Sequence, residues 1–356
     1  MTQSIHPSPI PSPDTGEQLN VPVGPTDTIK IQTTDGTTIG GFCWRAVRTD
    51  ALATRPVVVI TAATSVRCRY YFRFADYLHA HGFDVIVYDY RGIGESRPQK
   101  MRGFSASWSD WGGQDFDAVL AYALREFPGR PIHVVGHSFG GCAPGMAPHS
   151  AAISRMVTVG AQFAYWRDYA LSHRLGMLAK WHMFMPVLTD LMGYFPGKRL
   201  GWLEDTPKGV VRDWIAPAAT FDELPSVRKR AAQARRRAVR SALYDSSSFD
   251  AQASMPGFSV LSAPILAISL TDDEYGTVAG IERLLDHYVF SARTHLRVAP
   301  ADLGLSSVGH FAFFHSRHQS DLWPIALAWL EDGKLPASVP GTIASLREGS
   351  LLMPGV

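Results

Sequence analysis

The chain reads as a doubly wound α/β fold. Short Val/Ile-rich runs alternate with segments of helical spacing: "PVVVIT" from residue 56, "FDVIVYDY" from 83, "PIHVVG" from 131, "RMVTVG" from 155, "PILAISL" from 264 and "THLRVA" from 294. The runs are apolar at nearly every position rather than at every second one, which suits strands buried on both faces of a parallel sheet. Helices must then cross between them, and strand–helix alternation of this kind predicts a mostly parallel, doubly wound sheet.

Each element follows in chain order. Residues 1–26 are rich in Pro and Ser and predict a flexible tail. Residues 28–47 alternate β-branched residues about "TDGT", and the Asp35-Gly36 pair predicts a turn, hence an antiparallel hairpin ahead of the parallel strands. Between the second and third runs, Phe116, Val119, Leu120, Ala123, Leu124 and Phe127 fall on one helical face, with Gly129 as a stop. Leu322, Ile325, Ala326 and Trp329 repeat that spacing in the last helix. Residues 161–255 contain no convincing buried strand and predict a helical insertion. The core is expected over 27–160 and 256–335, and 336–356 as a C-terminal tail.

Composition narrows the function. Charged residues are 19% and hydrophobic ones 46%, the balance of an ordinary globular core. A net charge of +2, with no aromatics interleaved among the basic residues, argues against a nucleic-acid partner. Cys43, Cys68 and Cys142 are too scattered for a disulfide framework or a metal site, which leaves a reducing compartment as the simplest reading, and no cofactor is expected. The first residues lack the basic start and apolar run of a secretory signal, and no stretch has the roughly 18 apolar residues of a membrane span; a cytoplasmic location is the simplest expectation.

The chemistry gathers around "VVGHSFGGCAPG", residues 134–145. Gly136-x-Ser138-x-Gly140 falls where a strand ends and a helix begins. A nucleophilic side chain there must project clear of its own backbone on a strained turn, which needs glycines two positions to either side. The following helix brings its N-terminal amides to the place where negative charge develops. A serine hydroxyl needs a base. An acid and then a histidine are expected later in the chain. Asp272 and Asp273 follow directly on "PILAISL", at the carboxyl end of a strand where α/β sites gather; a solvated turn would explain the same pair. Among thirteen histidines, His310 in "LSSVGHFAFF" follows the last strand and sits where apolar residues resume.

These features resemble the α/β-hydrolase superfamily, and within it the serine-aminopeptidase and monoglyceride-lipase branch. The resemblance covers about residues 28–332 and is carried by "GHSFGG", by "YDYRGIGES" at 88–96 and by "VGHFAFF". It implies a catalytic triad of Ser138, Asp273 and His310, with Asp273 taken over Asp272 because the family acid lies three residues beyond the position of Leu270. It implies an oxyanion hole from the amides of Phe139 and Thr64, Ala62-Ala63 standing where the family has His-Gly. It also implies that the insertion after the sixth strand is a cap over the serine. Tyr165, Trp166, Trp181 and Phe184 are the expected pocket residues, and a small hydrophobic ester the expected substrate. Acyl transfer, C–C hydrolysis and cofactor-free perhydrolysis or haloperoxidation use the same triad; a non-catalytic binding protein is the reading of a different class. Arg228, Lys229, Arg230, Arg235, Arg236, Arg237 and Arg240 predict a basic helix, either a solvated face, a point of peripheral membrane contact or an attraction for an acidic substrate. Oligomeric state is not readable from the sequence.

Overall fold

The computed structural model describes residues 24–46, 55–242 and 255–344. Most of the expected N-terminal tail, the end of the expected cap and the last residues of the chain lie outside these. In chain order the strands are β1 (Asp27–Gln32), β2 (Thr38–Trp44), β3 (Val57–Thr61), β4 (Asp84–Tyr88), β5 (Ile132–His137), β6 (Ile153–Val159), β7 (Tyr194–Phe195), β8 (Thr206–Pro207), β9 (Ile265–Leu270), β10 (Arg293–Val298) and β11 (Thr342–Ala344). Nine of them form one sheet in the order β1-β2-β4-β3-β5-β6-β9-β10-β11. The β1–β2 hairpin joins antiparallel to β4, and the strands from β4 to β10 run parallel. Chain and chemistry agree here: β3, β4, β5 and β9 are buried at every residue, as strands covered on both faces must be.

This order positions the site. The chain moves outward from β3 to β4, then returns to lay β5 on the other side of β3. The order therefore reverses at the β3/β5 pair, and the loops leaving those two strands diverge to opposite faces and open a crevice at their carboxyl ends. Thr61 of β3 lies opposite Gly136 of β5, so the loop after β3 and the turn after β5 are neighbours.

Three departures from the sequence reading have local causes. The expected C-terminal tail supplies β11, antiparallel to β10 through Leu296↔Ile343; three residues, two of them exposed, leave no apolar period to read. The expected helical insertion also holds the two-residue β7/β8 pair, too short for any periodicity. In the helix Asp117–Glu126, Leu124 is 41% exposed, because it lies at the edge of the apolar stripe rather than at its centre.

The insertion makes its own small core. Met177, Trp181 and Met185, four residues apart, share one helical face and bury against Tyr169, Phe195 and Val211. The basic helix spans Pro225–Ala242. Its Arg230 pairs with Asp110 of the core at 2.5 Å; the side chains of Arg235, Arg236, Arg237 and Arg240 lie outside the described residues. The "YDYRGIGES" stretch is structural: Asp89 accepts from the amides of Cys68 and Glu95, and Arg91 joins buried Asp115 at 2.6 Å and Asp35 at 2.6 Å. Among the described residues no helix is long and apolar enough to cross a membrane.

Two core histidines carry a pH dependence. Burial, aided by Arg155, holds His133 down at about 3; burial, aided by Arg297, holds His295 at about 4. Unfolded, both titrate near 6.5. Between the two values the unfolded chain binds the extra proton, so stability present above pH ~6.5 is lost as pH falls toward 4. We expect His133→Leu to flatten the fall in urea midpoint between pH 7 and pH 4.5; an unchanged slope would contradict this assignment.

Candidate active site

Strand β5 ends at His137, and Ser138 follows at φ 52°, the left-handed region that non-glycine residues rarely adopt. A helical turn, Ser138–Gly141, starts at once. The two flanking glycines are required by contact. A Cβ on Gly136 would lie 2.6 Å from the carbonyl oxygen of Gly140, and one on Gly140 would lie 2.2 Å from that of Thr61 in β3. Their absence lets the turn sit against the neighbouring strand with the serine raised above it. Phe139 lies in that turn and Thr64 in the loop after β3, and each carries a backbone N–H group. That of Ala63 donates to the Tyr71 hydroxyl at 2.9 Å.

The two aspartates after β9 face different tasks. Asp273 is buried, and its Oδ2 lies 2.7 Å from His310 Nδ1, while its Oδ1 accepts from the Tyr275 amide at 2.9 Å. Gly276 makes room for that carboxylate, since a Cβ there would stand 2.4 Å from Oδ2. Burial pulls the Asp273 carboxyl upward, but His310 and the hydrogen bonds outweigh it and hold the group below the usual range. Asp272 turns to the loop instead: its Oδ2 accepts from the amides of Val308 and Gly309 at 2.8 and 3.0 Å, immediately ahead of His310. One residue holds the ring and its neighbour holds the loop that carries the ring.

His137 forms a link absent from the sequence reading. Its Nε2 lies 2.9 Å from the His310 carbonyl oxygen, which can only accept, so Nε2 carries the proton. Its Nδ1 then accepts from the Tyr71 hydroxyl at 2.8 Å, whose oxygen in turn takes the Ala63 amide. Burial, then the nearby His310, lower the His137 ring to about 3 and keep it neutral. The loop after β3, the serine turn and the His310 loop are thus joined through one buried imidazole. Tyr70 adds a second tie, its hydroxyl donating to the Phe311 carbonyl at 2.8 Å.

Ser138, Phe139, Thr64 and His310 line a common cavity of about 180 Å³. Its walls include Trp108, Trp181, Trp202, Trp214, Tyr275 and Phe311. Of the four residues expected to line it, Trp181 does. Tyr165 instead lies under the Arg283 guanidinium, Trp166 packs on the cluster within the insertion, and Phe184 is 46% exposed beside Trp202. Only part of the insertion faces the cavity, and a single sequence does not show which. Trp108, Trp214 and Tyr275 went unread because they come from three separate segments brought together only by folding. Among the described residues no group of three or more His, Cys, Asp or Glu side chains could hold a metal ion.

Two structural outcomes follow. Gly140→Ala, overpacking the β3 contact, should cost about 2–3 kcal/mol of stability, read from the urea midpoint. Asp272→Ala should speed hydrogen exchange at the Val308 and Gly309 amides while leaving exchange in β9 unaltered; protection retained at both amides would refute the loop-holding role.

The chain and its fold have counterparts among known proteins. The family profile described as serine aminopeptidase, S33, matches residues 53–243, more than half of the chain. Among solved structures, a soluble variant of monoglyceride lipase from Saccharomyces cerevisiae, bound to a substrate analogue, superposes with a TM-score of 0.56 at 14% identity, covering 89% of this chain and 99% of that one. An esterase from Pyrococcus furiosus gives 0.51 at 11% identity, covering 87% of this chain and 91% of its own. At these identities the likeness is one of fold. No curated protein sequence matches the chain. The profile match, the sheet order and the fold of these structures together place the chain in the serine aminopeptidase S33 family of the α/β-hydrolase superfamily.

Proposed function

We propose that the protein is a serine hydrolase that cleaves a carboxylic ester with an apolar portion through an acyl-enzyme. The observation that carries this reading is the Asp273–His310 pair at 2.7 Å, with its ring lining the same cavity as the strained Ser138. With Nδ1–H donated to Asp273, His310 is left with Nε2 as the base. It takes the proton of Ser138 as Oγ attacks the carbonyl carbon. The resulting oxyanion is held by the N–H groups of Phe139 and Thr64, each of which typically contributes about 3 kcal/mol to the transition state. Collapse expels the alcohol, protonated by the same imidazolium. Water, activated by His310, then attacks the acyl carbon and releases the acid and the free serine. Asp273 orients the ring and stabilises its charged form. Residues 161–255 serve as the cap, since Trp181, Trp202 and Trp214 supply a wall of the cavity.

An aminopeptidase reading of the same triad finds less support. It must hold a free α-ammonium, which calls for a carboxylate in the cavity, and none of the lining residues is Asp or Glu.

The test is an aryl ester panel with a fluorophosphonate probe. Wild type should turn over short aryl esters and take up the probe. Ser138→Ala should abolish both. Asp273→Asn should lower kcat by on the order of 10³–10⁴-fold through the wrong imidazole tautomer. Ester cleavage that survives Ser138→Ala would end the proposal.

A further inference from the structure

The cavity above Ser138 carries at its open side an exposed lysine that forms no salt bridge among the described residues. Lys180 lines it, and its Nζ lies 4.4 Å from the Trp181 ring centroid and 4.5 Å from that of Trp202. Both rings line the same cavity. Trp181 is itself fixed, buried and stacked on Trp214 at 4.9 Å. The ammonium is therefore held by the negative faces of two indoles rather than by a carboxylate. Among the described residues Lys180 forms no salt bridge, whereas the other lysines of the insertion near it in sequence do: Lys198 pairs with Glu204 and Lys208 with Asp190. The acids beside the cavity walls are engaged elsewhere. Glu204, next to Leu203, also takes Arg67 at 2.7 Å, and Glu274, next to Tyr275, lies 3.7 Å from His173.

A cation kept over an apolar, carboxylate-free cavity favours a ligand that brings the missing charge. We propose that the substrate is an ester bearing a carboxylate at the end remote from its scissile bond, and that Lys180 binds that carboxylate. The proposal rests on the ester-hydrolase reading and narrows its substrate class. The apolar body of such an ester packs on Trp108, Trp214 and Tyr275. Its charged end meets an ammonium that lies over the faces of the two indoles.

The carboxylate has two possible sources, the acyl part or the alcohol part, and the experiment separates them. One arm compares p-nitrophenyl hemisuccinate and hemiadipate with p-nitrophenyl butyrate and hexanoate. The other compares carboxyphenyl acetate with phenyl acetate. Wild type should prefer the anionic member of one arm by about tenfold in kcat/KM at low ionic strength, and added salt should erode the preference. Lys180→Met should collapse the ratio, and Lys180→Arg should retain it. A ratio equal in wild type and Lys180→Met, or a preference for the neutral ester in both arms, overturns the proposal. A binding measurement distinguishes its failure from that of the ester reading. In Ser138→Ala, hexanoate should quench tryptophan fluorescence at concentrations well below hexanamide, and Lys180→Met should remove the difference. Equal quenching by the two refutes the role of Lys180 whether or not any ester is cleaved.

Discussion

The close approach of the Ser138 turn to β3 is the contact on which the site depends. Gly140 stands so near the Thr61 carbonyl that no side chain fits between them. That proximity exists because β5 pairs directly with β3, with Thr61 opposite Gly136, at the point where the sheet order reverses. The same event opens the crevice, raises the serine and brings Phe139 and Thr64 to the cavity wall. The strain at Ser138 persists because both sides of the turn are packed: Gly136 and Gly140 beneath, and the buried Ala143 and Met146 of the following segment behind.

Around this contact the polar groups serve as spacers. His137, neutral and fully enclosed, measures the distance between the β3 loop and the His310 loop with one ring. Ser65, at φ 62°, performs a similar task for the insertion: its hydroxyl meets that of Thr206 at 2.5 Å, and its carbonyl accepts from Glu204. The residue after Thr64 is therefore tied directly to the segment that carries Trp202 and Leu203 into the cavity wall. Wall and floor share a boundary of hydrogen bonds rather than a loose hydrophobic contact.

Much of this was legible in the sequence where the physics is local. Buried strands announce themselves by uninterrupted Val and Ile, and a strained turn by its glycines; β3 to β10 of the large sheet and the Ser138 turn were read from such signals. The preference for Asp273 over Asp272 came only from family resemblance, because two adjacent carboxylates look alike until the fold turns one toward the ring and the other toward the loop. The cavity wall stayed unread for a different reason. Trp108, Trp214 and Tyr275 gain their role from tertiary contact, and the helix carrying Trp181 presents Phe184 outward. The role of His137 is not legible in the sequence, because its partner lies 173 positions away. The strand β11 and the β7/β8 pair were too short to leave a period.

The Asp272-Asp273 pair sets a limit on how this site can vary over evolutionary time. Two functions are packed into one dipeptide, with consecutive side chains sent in different directions. Insertion or loss of a single residue between β9 and that dipeptide would rotate both carboxylates off target together, whereas the surface of the insertion has no such indexing. A change of length is thus barred at this one point of the sheet, where a single added residue would displace the support of the His310 ring and of its loop together.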